Sequence, residues 1–158
     1  MQPKSGVLER LNAILTIELT AINQYFLQAE MCRNWGYHRL YERFRHSSLE
    51  EMRDAPSLIA RILFFEGVPN MQRLNQVQVG ENVLEHFQLN RQLETEAIEA
   101  LREAITHCRD VEDYGTRKLF EEMLSSEEEH LDTIETELEA IRQLGLELYL
   151  SQQLFKED

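Results

Sequence analysis

Four apolar stripes of helical period run through this chain, and each is interrupted by acid at positions that should stay apolar. From Val7 to about Arg33 the stripe is Leu8, Leu11, Leu15, Ala21, Ile22, Tyr25, Phe26 and Ala29, with Glu18 among them. From about Tyr37 to Phe65 it is Leu40, Phe44, Leu58 and Ile62, with Glu51 and Asp54 in the gap. Val83, Phe87, Ala97, Leu101 and Ile105 form a third stripe, from about Asn82 to Cys108, around Glu94. Phe120, Met123, Ile134, Leu138 and Ile141 form a fourth, ending at Leu144, around Glu127 and His130. Apolar residues recurring every three or four positions specify amphipathic helices whose stripes share one core.

The expected helices are 7–33, 37–65, 82–108, 113–144 and a short 146–155, with Gly36, Gly67 and Gly145 as stops. Helices of about 27 residues would each be roughly 40 Å long. The polar connection 67–80 is longer than a helix hairpin needs and long enough to cross a bundle. The expectation is one all-α domain over 1–158: an antiparallel four-helix bundle of ferritin-like arrangement, with a long crossover and a short C-terminal fifth helix.

Only 6 Gly and 3 Pro interrupt the chain, which suits long helices. With 29 Asp and Glu against 16 Lys and Arg, the net charge is -13, which repels phosphate backbones and anionic lipid and attracts cations. Nucleic acid is a poor partner on these grounds. Cys32 and Cys108 form no C-x-x-C pair and read as free thiols. With no long apolar run near the N-terminus and none of membrane-spanning length, a cytoplasmic, membrane-free protein is expected.

The acids on the wrong face carry the functional signal. An unpartnered buried carboxylate is so costly that five of them converging with an imidazole make sense only around cations. Glu51 follows Glu18 by 33 positions and Glu127 follows Glu94 by 33, so one half of the chain maps on the other at an offset of 76. The same offset pairs Ala21 with Ala97, Ile22 with Ile98 and Phe44 with Phe120. Two helical hairpins related by a pseudo-twofold axis would each supply half of a two-metal site. The odd match is Asp54, which pairs with His130.

Around Asp54 the sequence reads EEMRDAPSL. Met52 lies about 100° around the helix from Glu51 and should look outward. Pro56 lacks the N–H that would bond the carbonyl of Met52 and biases Ala55 away from helical angles. A kink, or a cost of about 3 kcal/mol, is expected there.

The chain resembles the bacterioferritins along nearly its whole length. The resemblance rests on AINQYFLQAEM (21–31), NWG (34–36), RILFFEGVPN (61–70), EEEHLDTIETELEAI (127–141) and GLELYLSQQ (145–153). It implies a hollow shell of twenty-four subunits, identical or mixed with a second subunit type, with the fifth helix lining fourfold axes and ferric mineral inside. It further implies that Glu18, Glu51, Glu94, Glu127 and His130 are iron ligands, with Glu51 and Glu127 bridging. The family's sixth ligand is a histidine where this chain has Asp54. Met52 matches the axial ligand of haem b, shared between two subunits. His46 matches an inner-surface iron ligand whose usual aspartate companion is Glu50 here, and Asn34, Glu66 and Asp132 match an iron route through the shell. Thr133 stands where an aromatic residue is common.

The activity implied is oxidation of Fe(II) by O2 or peroxide, with an electron-donor protein as a further partner. The alternative is a haem-binding structural subunit, its iron site impaired by Asp54, that assembles with an active one.

Overall fold

The computed structural model describes residues 1–155. Its elements are α1 (Val7–Trp35), α2 (His38–Phe64), α3 (Val83–Asp110), α4 (Tyr114–Leu144) and α5 (Leu146–Ser151), with no strand among the described residues. α1 packs along α2, and α3 along α4. Local chemistry explains several ends. α1 stops where Gly36 turns left-handed at φ 87°, a conformation that a side chain disfavours. The side chain of Asn82 accepts the Glu85 N–H at 2.9 Å at the start of α3, and that of Asp113 accepts the Thr116 N–H at 3.0 Å at the start of α4.

The crossover between α2 and α3 fixes the topology. It climbs α1 rung by rung: the Asn70 N–H donates to Asn12 Oδ1, the Asn75 N–H to Thr20 Oγ1 and the Gln78 N–H to Gln24 Oε1, while Gln28 Nε2 donates to the Val79 carbonyl. The chain therefore returns to the end where α2 began. α3 runs in the same direction as α2 but packs against α1 and α4, and α1 and α4 run the opposite way. The result is the ferritin-like four-helix bundle with a short fifth helix.

The core has two large apolar clusters and a small one of Ala21, Tyr25 and Leu93 between them. Val7, Leu11, Leu58, Ile62, Leu101 and Phe120 lie in one large cluster, and Leu40, Phe44, Val83, Phe87, Ile141 and Tyr149 in the other. Burying each large side chain contributes about 1.5–3 kcal/mol. Along every long helix the acids that break the stripe fall between the two large clusters.

Several expectations need correction. Phe26 is 59 % exposed rather than core, because Gln24 and Gln28 take the inward positions and bond the buried Asn90 and the crossover. At the end of α2 the left-handed residue is Glu66, at φ 59°, and not Gly67. Gly67 instead packs closely on α1: a Cβ there would meet Leu8 Cδ2 at 2.7 Å and make that side chain shift. α5 ends at Ser151 rather than near 155: the chain turns so that the Gln153 carbonyl accepts the Arg39 N–H at 3.1 Å. α2 runs unbroken through Pro56, and Ala55 stays helical. Pro56 is exposed, and the carbonyl that it leaves without a helical donor belongs to Met52, a residue itself 51 % exposed on the outer side of α2.

Candidate metal centre

Between the two large apolar clusters, α1 supplies Glu18, α2 supplies Glu51 and Asp54, α3 supplies Glu94, and α4 supplies Glu127 and His130. The four glutamates are each 1 % exposed, whereas Asp54 and His130 are only partly buried. Ligand atoms of Glu51, Glu94, Glu127 and His130 all lie within 4.8 Å of one another, and so do those of Glu18, Glu51, Asp54 and Glu127. The two sets share Glu51 and Glu127. Under the offset of 76, Glu94 and His130 of one set correspond to Glu18 and Asp54 of the other.

Satisfaction of polar groups singles out the same residues. Among the described residues, the buried side-chain donors and acceptors without a hydrogen-bond partner are Glu18 Oε2, both carboxylate oxygens of Glu51, Asp54 Oδ2, Glu94 Oε2, Glu127 Oε1, His130 Nδ1 and His86 Nε2. All but the last belong to this cluster. Nearly every buried polar group in a folded chain is paired, so concentration of the exceptions in one layer marks a place built for something else. His130 Nδ1 stands 2.9 Å from Glu51 Oε1, 3.4 Å from Glu127 Oε2 and 3.9 Å from Glu94 Oε1. Hard oxygen donors with one imidazole, converging from four rigid helices, suit iron or a similar divalent ion.

The electrostatics agree. Burial, then the charge of Glu51, pushes the Glu18 carboxyl well above its usual range. Burial and Glu127 do the same to Glu94, and burial raises Glu127 itself. Burial opposes a charge on His130, but the carboxylates of Glu127 and Glu51 beside its Nδ1 outweigh it and push the imidazolium up to about 12. Without a cation to balance its charge, the cluster therefore holds protons.

Two further contacts frame the centre. The Tyr25 hydroxyl, fully buried, donates to Glu94 Oε1. On the other side, His130 Nε2 is 2.8 Å from Glu50 Oε2, and Glu50 Oε1 is 2.9 Å from His46 Nε2. Sequence alone did not reveal the link from Glu50 to His130, because it joins residues 80 positions apart on different helices.

Residues 8–144 match the ferritin family, described as a ferritin-like domain. A bacterioferritin of Mycolicibacterium paratuberculosis is 45 % identical over 152 residues, covering 96 % of each chain. One of Streptomyces coelicolor is 47 % identical over 151 residues, 96 % of this chain and 90 % of its own length. The chain belongs to the bacterioferritin family. Membership supports iron storage, and the carboxylate layer is compatible with a two-iron site.

The remaining candidates of this bacterioferritin chain do not gather at the centre. Met52 is next to Glu51 in sequence but on the outer side of α2, near exposed Leu49. The Ser48 hydroxyl donates to the Ile22 carbonyl and ties this stretch to the part of α1 that carries exposed Phe26. Asn34, Glu66 and Asp132 are all exposed and far apart: one near the end of α1, one just beyond α2 at the other end of the bundle, one midway along α4. Thr133 is exposed and bonds the Glu129 carbonyl. No helix among the described residues is long and apolar enough to cross a membrane.

Proposed function

We propose that this chain is an iron-storing ferroxidase whose reaction centre is the layer formed by Glu18, Glu51, Asp54, Glu94, Glu127 and His130. The observation that carries this reading is the set of buried donors without partners, arranged in two groups that share Glu51 and Glu127. Two Fe(II) ions, the substrate, would sit one against Glu94 and His130 and one against Glu18 and Asp54. Each would give one electron, the two together with two protons reducing O2 to hydrogen peroxide or hydrogen peroxide to water, and Fe(III) leaves for the mineral. The protein supplies charge, geometry and rigid helices, while the metal carries the electrons. Tyr25 holds Glu94 in orientation through its hydroxyl.

In this reading the chain works within a shell of twenty-four subunits, with Asn34, Glu66 and Asp132 lining an iron route between neighbours. His46 and Glu50 would receive iron leaving the centre. Met52 presents an exposed thioether on an apolar strip with Leu49 and Phe26, a donor and a surface that fit haem b held between two subunits. When bound, haem supplies one-electron transfer, with an electron-donor protein as its partner; haemin titration of Met52→Leu against the unaltered chain tests that assignment.

Stopped-flow oxidation of Fe(II) tests the central claim. The chain should oxidise Fe(II) much faster than a Glu18→Ala, Glu127→Ala double variant, and equal rates would remove the claim. Asp54 favours one second reading, a haem-binding structural subunit that assembles with a more active one. That reading loses its motive if the chain alone forms complete shells that oxidise iron rapidly.

A further inference from the structure

Glu50 is not one of the six residues of the centre, yet its carboxylate reaches one of them. It lies immediately before Glu51 on α2 and lines a cavity of about 570 Å³ together with Tyr25, His46 and His130. One of its oxygens stands 2.8 Å from His130 Nε2 and the other 2.9 Å from His46 Nε2. His130 thus has its two ring nitrogens in different company. Nε2 meets Glu50, while Nδ1 faces Glu51, Glu127 and Glu94 and has no hydrogen-bond partner.

A neutral imidazole can offer only one nitrogen to a metal, and the other must keep its proton. Which nitrogen keeps it is set by the hydrogen bond available to each. We infer that Glu50 is the positioning residue of His130: by accepting the Nε2–H, it keeps the proton on the cavity side and turns the lone pair of Nδ1 toward iron. This rests on the reading of the six-residue layer as the metal centre and adds a specific cause for the orientation of its only imidazole. The link from His46 to the second oxygen of Glu50 anchors the carboxylate, so the chain His46–Glu50–His130 connects the cavity wall to the centre. Asp54 makes this arrangement matter more, because no second imidazole supports the set formed with Glu18.

The same carboxylate could act only as an iron ligand with His46, and the two roles leave different traces. Co(II) titration of the full chain in its native assembly, followed by visible absorption, separates them. A positioning role predicts that Glu50→Gln weakens the tightly bound Co(II) by about 10–100-fold, the usual effect of removing a partner of a metal-bound histidine, with the number of bound ions retained. The Co(II) bands should shift as the imidazole is lost or tilted. In a His130→Ala background, Glu50→Gln should add no further loss. The inference is overturned if Glu50→Gln leaves the tight ions and their spectrum intact, if it merely removes one bound ion per subunit, or if its effect persists unchanged without His130. If the unaltered chain binds no Co(II) that depends on Glu18 and Glu127, the centre itself fails and this inference fails with it. A melting curve for each variant excludes misfolding as the cause.

Discussion

Asp54 and His130 occupy equivalent places in the two halves of the centre: Asp54 closes the set with Glu18, His130 the set with Glu94, and both sets share Glu51 and Glu127. The halves are therefore alike in position and unlike in charge. A carboxylate in place of an imidazole adds one negative charge to a layer that already contains four buried glutamates. Burial, with the charge of Glu50, already pushes Asp54 above its usual range, against the opposing pull of His130.

This asymmetry leads to the first prediction. Extra negative charge favours Fe(III) over Fe(II), so product should leave the Asp54 side slowly. Asp54→His should raise the rate of repeated Fe(II) oxidation several-fold, and Asp54→Ala should lower it, both read by stopped-flow absorbance over successive additions of iron. A slower Asp54→His variant would mean that the carboxylate is the better donor in this chain.

The second prediction concerns the iron-free protein. Glu18 is fully buried beside Glu51, and its charge is opposed by burial and by its neighbours. A site that needs cations to offset its charge is a source of instability without them. Glu18→Gln keeps the shape and removes one titratable group, so the metal-free variant should gain about 1–2 kcal/mol, a rise of roughly 2–8 °C in melting temperature for a chain of this size. It should lose iron oxidation at the same time. A lower melting temperature in calorimetry of the iron-free variant would contradict this account.

Pro56 supplies the third. The helix passes through it intact, but the carbonyl of Met52 still lacks its helical donor. Pro56→Ala restores that N–H on an exposed position where the new methyl meets no packing constraint. Proline in a helix interior is about 3 kcal/mol worse than alanine, partly offset by its stiffening of the unfolded chain. The variant should gain about 1–2 kcal/mol in urea unfolding. No gain would mean that the surrounding packing has already absorbed the cost.

How far the sequence discloses this molecule depends on the range of each interaction. Glu18, Glu51, Glu94 and Glu127 could be placed on one layer because helical period and a repeated spacing of 33 are local, countable properties. Phe26 departs from its stripe because its exposure is decided by Gln24 and Gln28, whose amides turn inward to meet Asn90 and the crossover. The pairing of Glu50 with His130 leaves no periodic trace, since it depends on how α2 and α4 approach each other. Pro56 follows the same logic in reverse: its local preference is strong, but packing of Ala55 and Leu58 in the core holds the helix through it.

The last prediction uses His86 Nε2, the one buried unpartnered side-chain atom outside the centre among the described residues. His86 is fully buried, its ring stacks on Trp35 with centroids 5.5 Å apart, and Phe44 meets it edge-on at 5.8 Å. Its Nδ1 contacts the Val79 carbonyl at 2.6 Å, which ties the crossover to the start of α3. Burial lowers its pKa from 6.5, opposed in part by that carbonyl and by the charge of Glu85. Between the lowered value and 6.5 the unfolded chain binds more protons at this position than the folded one. The stability that neutral His86 contributes is therefore complete above pH 6.5 and drains as pH falls through the lowered value. His86→Leu loses the bond to Val79, about 1 kcal/mol at neutral pH, and removes this pH dependence. Urea midpoints of iron-free protein between about pH 7.5 and 5 should show the two chains converging as pH falls, because every other titrating group is common to both. Parallel lines would mean that protonated His86 is accommodated without loss, by a shift of the crossover that brings Nε2 to water.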